Sequence, residues 1–277
     1  MPIRRLLRHR LFTTGLVLFL IVVVAAIAAE WIVGHSPTRM NMRLRFTPPG
    51  DPRFLLGTDA FGRDILARLA HGAQVSLRIG LLVVVFTGVF GTFFGAIAGY
   101  FRRLDNPVMR VMDAFMAFPA ILLAIAIAAA LGPSELNVVI ALAAVYTPRT
   151  ARIVRASVLV VREAEYVQAA RVAGGGHARI LLGHVLPNSL APLIVQLTFI
   201  FAYSVLAEAV LSFLGVGPAP PTPTWGNMIA DGRNFIREAP WITLMPGIAI
   251  SITVLGLNLL GDGLRDVLDP RMKVASS

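Results

Sequence analysis

Cysteine is absent from this chain, so neither a disulfide nor a thiolate metal ligand is available, and the redox compartment stays unread. Lysine occurs once, at Lys273, where Val274 follows it. A phosphate-binding loop needs Gly-x-x-x-x-Gly-Lys-Ser/Thr, so that route to ATP hydrolysis is closed to this polypeptide. Charge is scarce too: 14% of residues are charged and 56% are hydrophobic, with mean hydropathy +0.74. A soluble domain of 277 residues would carry more charge. Catalytic patterns are also missing. His9, His35, His71, His177 and His184 form no His-Glu-x-x-His zinc pair, and no Gly-x-Ser-x-Gly elbow occurs.

What the chain has instead is a series of nearly uncharged runs close to 20 residues long, which predicts an all-α polytopic membrane protein. The net charge of +10 raises the question of nucleic acid. Its arginines, however, lie beside apolar runs without the interleaved aromatics of a single-strand binder, so they read as flanks of membrane spans. Arg4, Arg5, Arg8 and Arg10 precede the first run, which is longer than a secretory signal core and is followed by Glu30-Trp31, not by a small-residue cleavage site. An uncleaved first span is expected at 11–33, after a cytoplasmic segment 1–10.

A polar loop, 34–78, follows on the outer side and contains Gly57-Thr58-Asp59 and Gly62-Arg63-Asp64. Asp59, Arg63 and Asp64 suggest an ion-pair cluster, either locking the loop on itself or meeting a substrate or a binding protein. Five further spans are expected within 79–262. The second is Ile79–Phe101, where Gly91, Gly95 and Gly99 form a small-residue ridge for close packing inside the chain or against a partner. The third is Ala114–Leu131, kinked by Pro119. The fourth starts at Asn137 and, because Asn137–Pro148 gives only about 18 Å of helix, continues past Arg149, Arg152 and Arg155, whose heads snorkel to the inner surface. The fifth and sixth are Ser189–Leu214 and Ile242–Gly261, separated by a proline-rich outer segment, Gly215–Pro240. Arginine is concentrated in the proposed inner segments, which places both termini, including the tail 263–277, in the cytoplasm.

Between the fourth and fifth spans lies the most informative stretch, the polar loop 162–188. Tyr166, Ala169, Ala170 and Ala173 recur at helical spacing and give a small-residue face. Gly174, Gly175 and Gly176 stop that helix, and a second short helix, about His177 to Leu186, is closed by Pro187-Asn188. A short helix of this kind on a membrane protein suits a groove in a soluble partner.

This loop resembles the cytoplasmic coupling ("EAA") loop of ABC-transporter permeases, with Gln168-Ala169-Ala170, Gly174 and His184-Val185-Leu186-Pro187 in the positions of that pattern. Gln168 stands where the family usually has Glu, which keeps the shape but drops a carboxylate, and His184 stands where a hydrophobic residue is common. The run Leu56-Gly57-Thr58-Asp59-Ala60-Phe61-Gly62-Arg63-Asp64 is similar to a signature of the dipeptide/oligopeptide/nickel branch. Phe115–Pro119, Leu211–Gly215 with Trp225-Gly226, and Leu260–Asp266 with Asp269-Pro270-Arg271 are also family-like. From Leu56 to Arg271 the chain thus resembles the C-type permease of this importer family.

The resemblance implies the type I importer fold, with six transmembrane helices and cytoplasmic coupling helices, in a bacterial inner membrane. It implies a homologous second permease as heterodimer partner, two P-loop ATPase subunits or domains carrying ATP and Mg, an extracytoplasmic substrate-binding protein, and no cofactor on this chain. The residues it assigns to ATPase coupling are Glu163, Glu165, Tyr166, Gln168, Ala169, Ala170, Arg171, Gly174, His184, Leu186 and Pro187. Peptides are the expected cargo, with nickel or a small conjugate such as glutathione as the alternative. A membrane scaffold using the same loop is the rival class.

Ionisable or amide side chains inside spans are further candidates. Glu208 lines a path or is held by a polar neighbour, while Gln196 and Asn258 read as interhelical glue. Gly261-Asp262-Gly263 faintly resembles an intramembrane aspartyl motif but lacks a second membrane aspartate.

Overall fold

The computed structural model describes residues 6–28, 31, 34 and 36–268. Arg4, Arg5, Glu30, His35 and the tail from Asp269 to Lys273 lie outside the described residues. Among the described residues every named element is a helix.

Helix α1, Arg10–Ile27, is the expected first span and lies along the last helix of the chain, Gly15 against Gly256. Helix α2, Ile65–Tyr100, starts well before the expected Ile79. Asp64 sets that start, its Oδ1 accepting from the Leu66 backbone N–H at 2.8 Å. At 36 residues α2 is roughly 54 Å long, so its polar first turns stand clear of a bilayer core about 30 Å thick. Polarity made those turns read as loop.

The third expected span is not one helix. Helix α3, Arg102–Met116, and helix α4, Ala120–Leu131, meet at a bend of 87°. Pro119 has no N–H to donate and disfavours helical backbone at Phe118, so the chain breaks there instead of merely kinking. Helix α5, Glu135–Val161, does run on through Arg149, Arg152 and Arg155 as expected. Their heads do not all snorkel. Arg152 bonds Asp113 and Arg155 bonds Asp105, both on α3, each through Nη2 at 2.6 Å.

The polar loop folds as α6, Glu165–Val172, then α7, His177–Ile180, a π-helical turn Leu181–Val185 and α8, Leu186–Asn188. Pro187 accounts for the π turn: its ring would clash with the carbonyl four residues back, and a widened turn relieves this. Helix α9 is Leu190–Phe213, and α11 is Trp241–Leu268. The proline-rich outer segment contains a helix that composition hid, α10, Trp225–Gly232. Thr224 caps it, accepting from the Asn227 N–H at 3.1 Å while Asn227 Oδ1 accepts from the Thr224 N–H.

By length and composition α1, α2, α9 and α11 are able to cross a membrane, and the bent α3–α4 pair makes a fifth if it counts as one span. Helix α5 has the length, 27 residues, but three arginines in its second half. The end carrying residues 162–188 is termed the inner end, and the opposite one the outer end.

Helices α2 and α5 run side by side along the ridge Gly91, Gly95 and Gly99. A Cβ on Gly95 would stand 2.4 Å from the Ala151 carbonyl oxygen, so the glycines are what let the two backbones meet. The ridge therefore serves packing within this chain. One core joins α2, α4, α5 and α9, a second joins α1, α2, α9, α10 and α11, and a third sits at the inner end.

Candidate functional site

The inner site is built on α6. Its C-terminus is closed by Gly174 at φ +82°, the Gly174 N–H donating to Arg171 O and the Gly175 N–H to Ala170 O, both at 3.0 Å. This pair of bonds is the Schellman arrangement, in which a glycine takes the left-handed position that other residues avoid. One face of α6 turns inward. Val167 is fully buried with Ile180 and Val185 against Val154 and Val158 of α5 and Leu193 of α9. Burying side chains of this size contributes about 1.5–3 kcal/mol each, so α6 and α7 are fastened to α5 and α9.

The other face turns out. Glu165, Tyr166, Ala169 and Arg171 are exposed and Ala170 is half-buried, while Val172 on the same helix is 90% exposed. Gln168 is half-buried, its Nε2 donating to Arg162 O at 3.4 Å and its Oε1 accepting from Arg171 at 3.4 Å. Glu163 accepts from Arg162 Nε at 3.0 Å, and buried Arg162 also donates to Gly99 O at 2.6 Å. Beyond the turn, Leu186 packs on the inner core while Pro187 is exposed. His184 is half-buried, its carbonyl accepting from Asn188 Nδ2 at 2.7 Å. A cavity of about 730 Å³ opens between Arg102, Arg103, Gln168, Arg171 and His177.

The outer motif closes on itself, with two partners that local spacing did not suggest. Asp59 Oδ2 accepts from Arg63 Nε and from Arg68 Nη1, each at 2.6 Å. Asp231 Oδ2 accepts from the same two arginines at 2.9 and 3.0 Å. Arg68 lies on the first turns of α2 and Asp231 on α10, so the network pins α10 to the start of α2. Asp64 caps α2 through Oδ1. Gly57 and Gly62 take positive φ, and Thr58 is fully buried, accepting from the Thr47 N–H at 2.9 Å.

Within the bundle, Glu208 is fully buried and accepts from Ser76 Oγ at 2.7 Å and from Ser212 Oγ at 2.6 Å, tying α2 to α9. Asn258 Oδ1 is buried with no hydrogen-bond partner among the described residues. Gln196 is buried and borders a cavity between α5, α9 and α11.

Comparison with known proteins decides the family. Residues 91–274 match the family model described as binding-protein-dependent transport system inner membrane component. The chain belongs to that family. Residues 3–49 of this permease also match the N-terminal TM domain of oligopeptide transport permease C.

Among its relatives is a provisionally named peptide transport system permease protein of Brucella abortus, 59% identical over 98% of this chain and 91% of that one. The di/tripeptide transport system permease protein DppC of Pseudomonas aeruginosa is 46% identical over 95% and 88%. The dipeptide transport system permease protein DppC of Escherichia coli is 46% identical over 96% and 91%. A solved chain from an amino acid ABC transporter crystallised with histidines shares the fold at TM-score 0.54 and 17% identity, covering 74% of this permease and 94% of that chain. The protein is thus a multi-pass inner-membrane transport permease.

Proposed function

We propose that this permease forms half of the translocation pathway of an ATP-driven importer of di- or oligopeptides. In this reading the chain crosses the membrane six times, with both termini in the cytoplasm. A homologous second permease supplies the other half, and an extracytoplasmic binding protein delivers peptide to the outer end. Two P-loop ATPases, carrying ATP and Mg, dock on α6 and the turn after it. The names of the relatives support peptide as the cargo. Glu163, Glu165, Tyr166, Gln168, Ala169, Ala170, Arg171, Gly174, His184, Leu186 and Pro187 form or brace the docking surface.

The observation that carries the reading is the two-sidedness of α6. Its buried Val167 is locked through Ile180 and Val185 to α5 and α9, while Tyr166, Ala169 and Val172 are left in the open. A partner that pushes the exposed face therefore moves the inner ends of two long helices, which is the rigid-body coupling that alternating access requires.

The test is Gly174→Val in the assembled importer. A β-branched residue at φ +82° is strained by about 1–2 kcal/mol and distorts the end of α6 without touching a span. Uptake should fall at least tenfold while membrane insertion and ATP hydrolysis persist. Normal uptake in that variant would sink the coupling assignment.

A further inference from the structure

The inner site is joined to α2 as well as to α5 and α9, and one side chain makes the joint. The last carbonyls of a helix have no partner within it. Helix α2 stops at Tyr100 because Phe101 takes extended backbone, φ −101° and ψ 104°, and the carbonyl of Gly99 is among those left over. Arg162, the residue that ends α5, satisfies it: its Nη1 donates to Gly99 O at 2.6 Å. The helix dipole puts partial negative charge at that end, so a cation is favoured there. Gly99 also lies against Val158 and the Arg155 carbonyl, where a Cβ would stand 2.8 and 3.0 Å away. That close approach brings the ends of α2 and α5 within reach of one guanidinium.

The same guanidinium also meets the docking loop. Arg162 Nε donates to Glu163 Oε1 at 3.0 Å. Gln168 of α6 donates to the Arg162 carbonyl at 3.4 Å and to Glu163 Oε2 at 3.5 Å. Burial divides the pair: the Arg162 side chain is 11% exposed and that of Glu163 is 57%. One buried head thus holds α2 with one donor and an exposed carboxylate of the loop with another. The guanidinium is planar, so its two N–H directions are fixed together, which an ammonium does not reproduce. A second tie, between the Tyr100 hydroxyl and His177 Nδ1 at 3.2 Å, fastens α7 to the same end of α2. From this joint α2 runs without a proline to Arg68, which bonds Asp59 and Asp231. Roughly 47 Å of helix therefore links the docking loop to the outer network.

We propose that Arg162 is a positioning residue for transport. By its forked contact it makes α2 follow the docking loop, so a push on α6 reaches the outer network and not only the inner ends of α5 and α9. The proposal rests on the peptide-importer reading. It gives Arg162 no contact with peptide, since the side chain is turned into the protein and acts through Gly99 and Glu163. Among the described residues Arg162 is the one arginine of 162–188 that hydrogen-bonds α2. Arg152 and Arg155 are instead paired with α3. Hydrogen bonds made by an ionised group are about twice as strong as neutral ones, which suits a joint that must hold under load.

The experiment uses the complete importer, with its partner permease, ATPases and binding protein, reconstituted in liposomes. It reads radiolabelled dipeptide taken up per ATP hydrolysed. A side chain that only braced the fold would, when lost, lower uptake and hydrolysis in step and leave that ratio unchanged. R162Q supplies neither the fork nor the charge and should lower the ratio at least tenfold. R162K returns the charge without the fork and should lower it about threefold. A wild-type ratio in either variant would overturn the proposal while leaving the importer reading intact. If R162Q does not assemble, R162K decides by the same ratio. A wild-type importer that carries no dipeptide on hydrolysing ATP would overturn both.

Discussion

At the outer end Arg68 meets Asp59 across 2.6 Å, with side chains 4% and 1% exposed; at the inner end Arg152 meets Asp113 across the same 2.6 Å, with side chains 51% and 57% exposed. The contacts have one geometry and very different surroundings. Asp59 is enclosed by two arginines and two backbone N–H groups, those of Phe61 and Arg63, and Asp231 completes the ring. Asp113 is left more than half exposed. The outer end is therefore saturated by its own residues, and any ligand there meets a closed network. The inner end keeps exposed arginines and an exposed helix face, so its groups are free for a second protein. Burial, not distance, separates a closed lock from an open surface here.

The sharpest way to break this contrast is Asp59→Asn. The amide keeps Oδ1 for the two backbone donors but removes the charge that Arg63 and Arg68 share. Taking one partner from a buried pair costs about 3–5 kcal/mol, chiefly because the surviving charges stay buried. Thermal unfolding of the purified permease in mild detergent should show a large fall in midpoint and a poor yield of folded protein. A midpoint within 2 °C or so of wild type, less than about 1 kcal/mol would produce, would mean that the outer network is not a lock.

The two ends differ as well in how far sequence foreshadows them. Gly174, the small-residue run before it and Pro187 are local signals, and each marks a local feature: a left-handed cap, an exposed face and a disturbed turn. Asp59 and Arg63 also speak from neighbouring positions. Arg68 was hidden because the turns of α2 that carry it are polar and project beyond the apolar stretch. Asp231 was hidden by distance, since it meets Arg63 across 168 positions and sits on a helix embedded in proline-rich sequence. The cap of that helix pairs Thr224 with Asn227, where a capping box usually has Glu or Gln, so its start lacked the familiar mark. Pro119 announced a disturbance but not an 87° break, because the angle is set by what α3 and α4 pack against. Nor did sequence mark which arginines of α5 would be paired: Arg152 and Arg155 meet aspartates only because α3 brings Asp113 and Asp105 to them.

An intermediate effect is expected from the seam that joins the two ends. Gly95→Val places a branched side chain where a single Cβ already lies 2.4 Å from Ala151 O and 2.8 Å from Val154 Cβ. Neither contact is the tip of a flexible side chain, so α2 and α5 must separate. Overpacking of this kind costs about 1–3 kcal/mol. The measurement is again the detergent unfolding midpoint, which should fall between those of wild type and Asp59→Asn. An unchanged midpoint would show that the seam yields freely and that the outer lock and the inner surface are mechanically separate.

The smallest effect belongs to Asp113→Asn, and it tests whether burial alone explains the difference. If the 2.6 Å distance governed energy, losing this charge would hurt as much as losing that of Asp59. In water the attraction is weakened by the solvent dielectric and opposed by the entropy of holding two long side chains together, so exposed pairs contribute about 0–1 kcal/mol. The midpoint of Asp113→Asn should therefore stay close to wild type. Whatever shift remains should shrink further when salt is raised toward 1 M, where the screening length drops to about 3 Å. A loss comparable to that of Asp59→Asn, unaffected by salt, would show that Arg152 is held in a dry setting. The inner end would then be as saturated as the outer one, and the case for a free docking face there would fail.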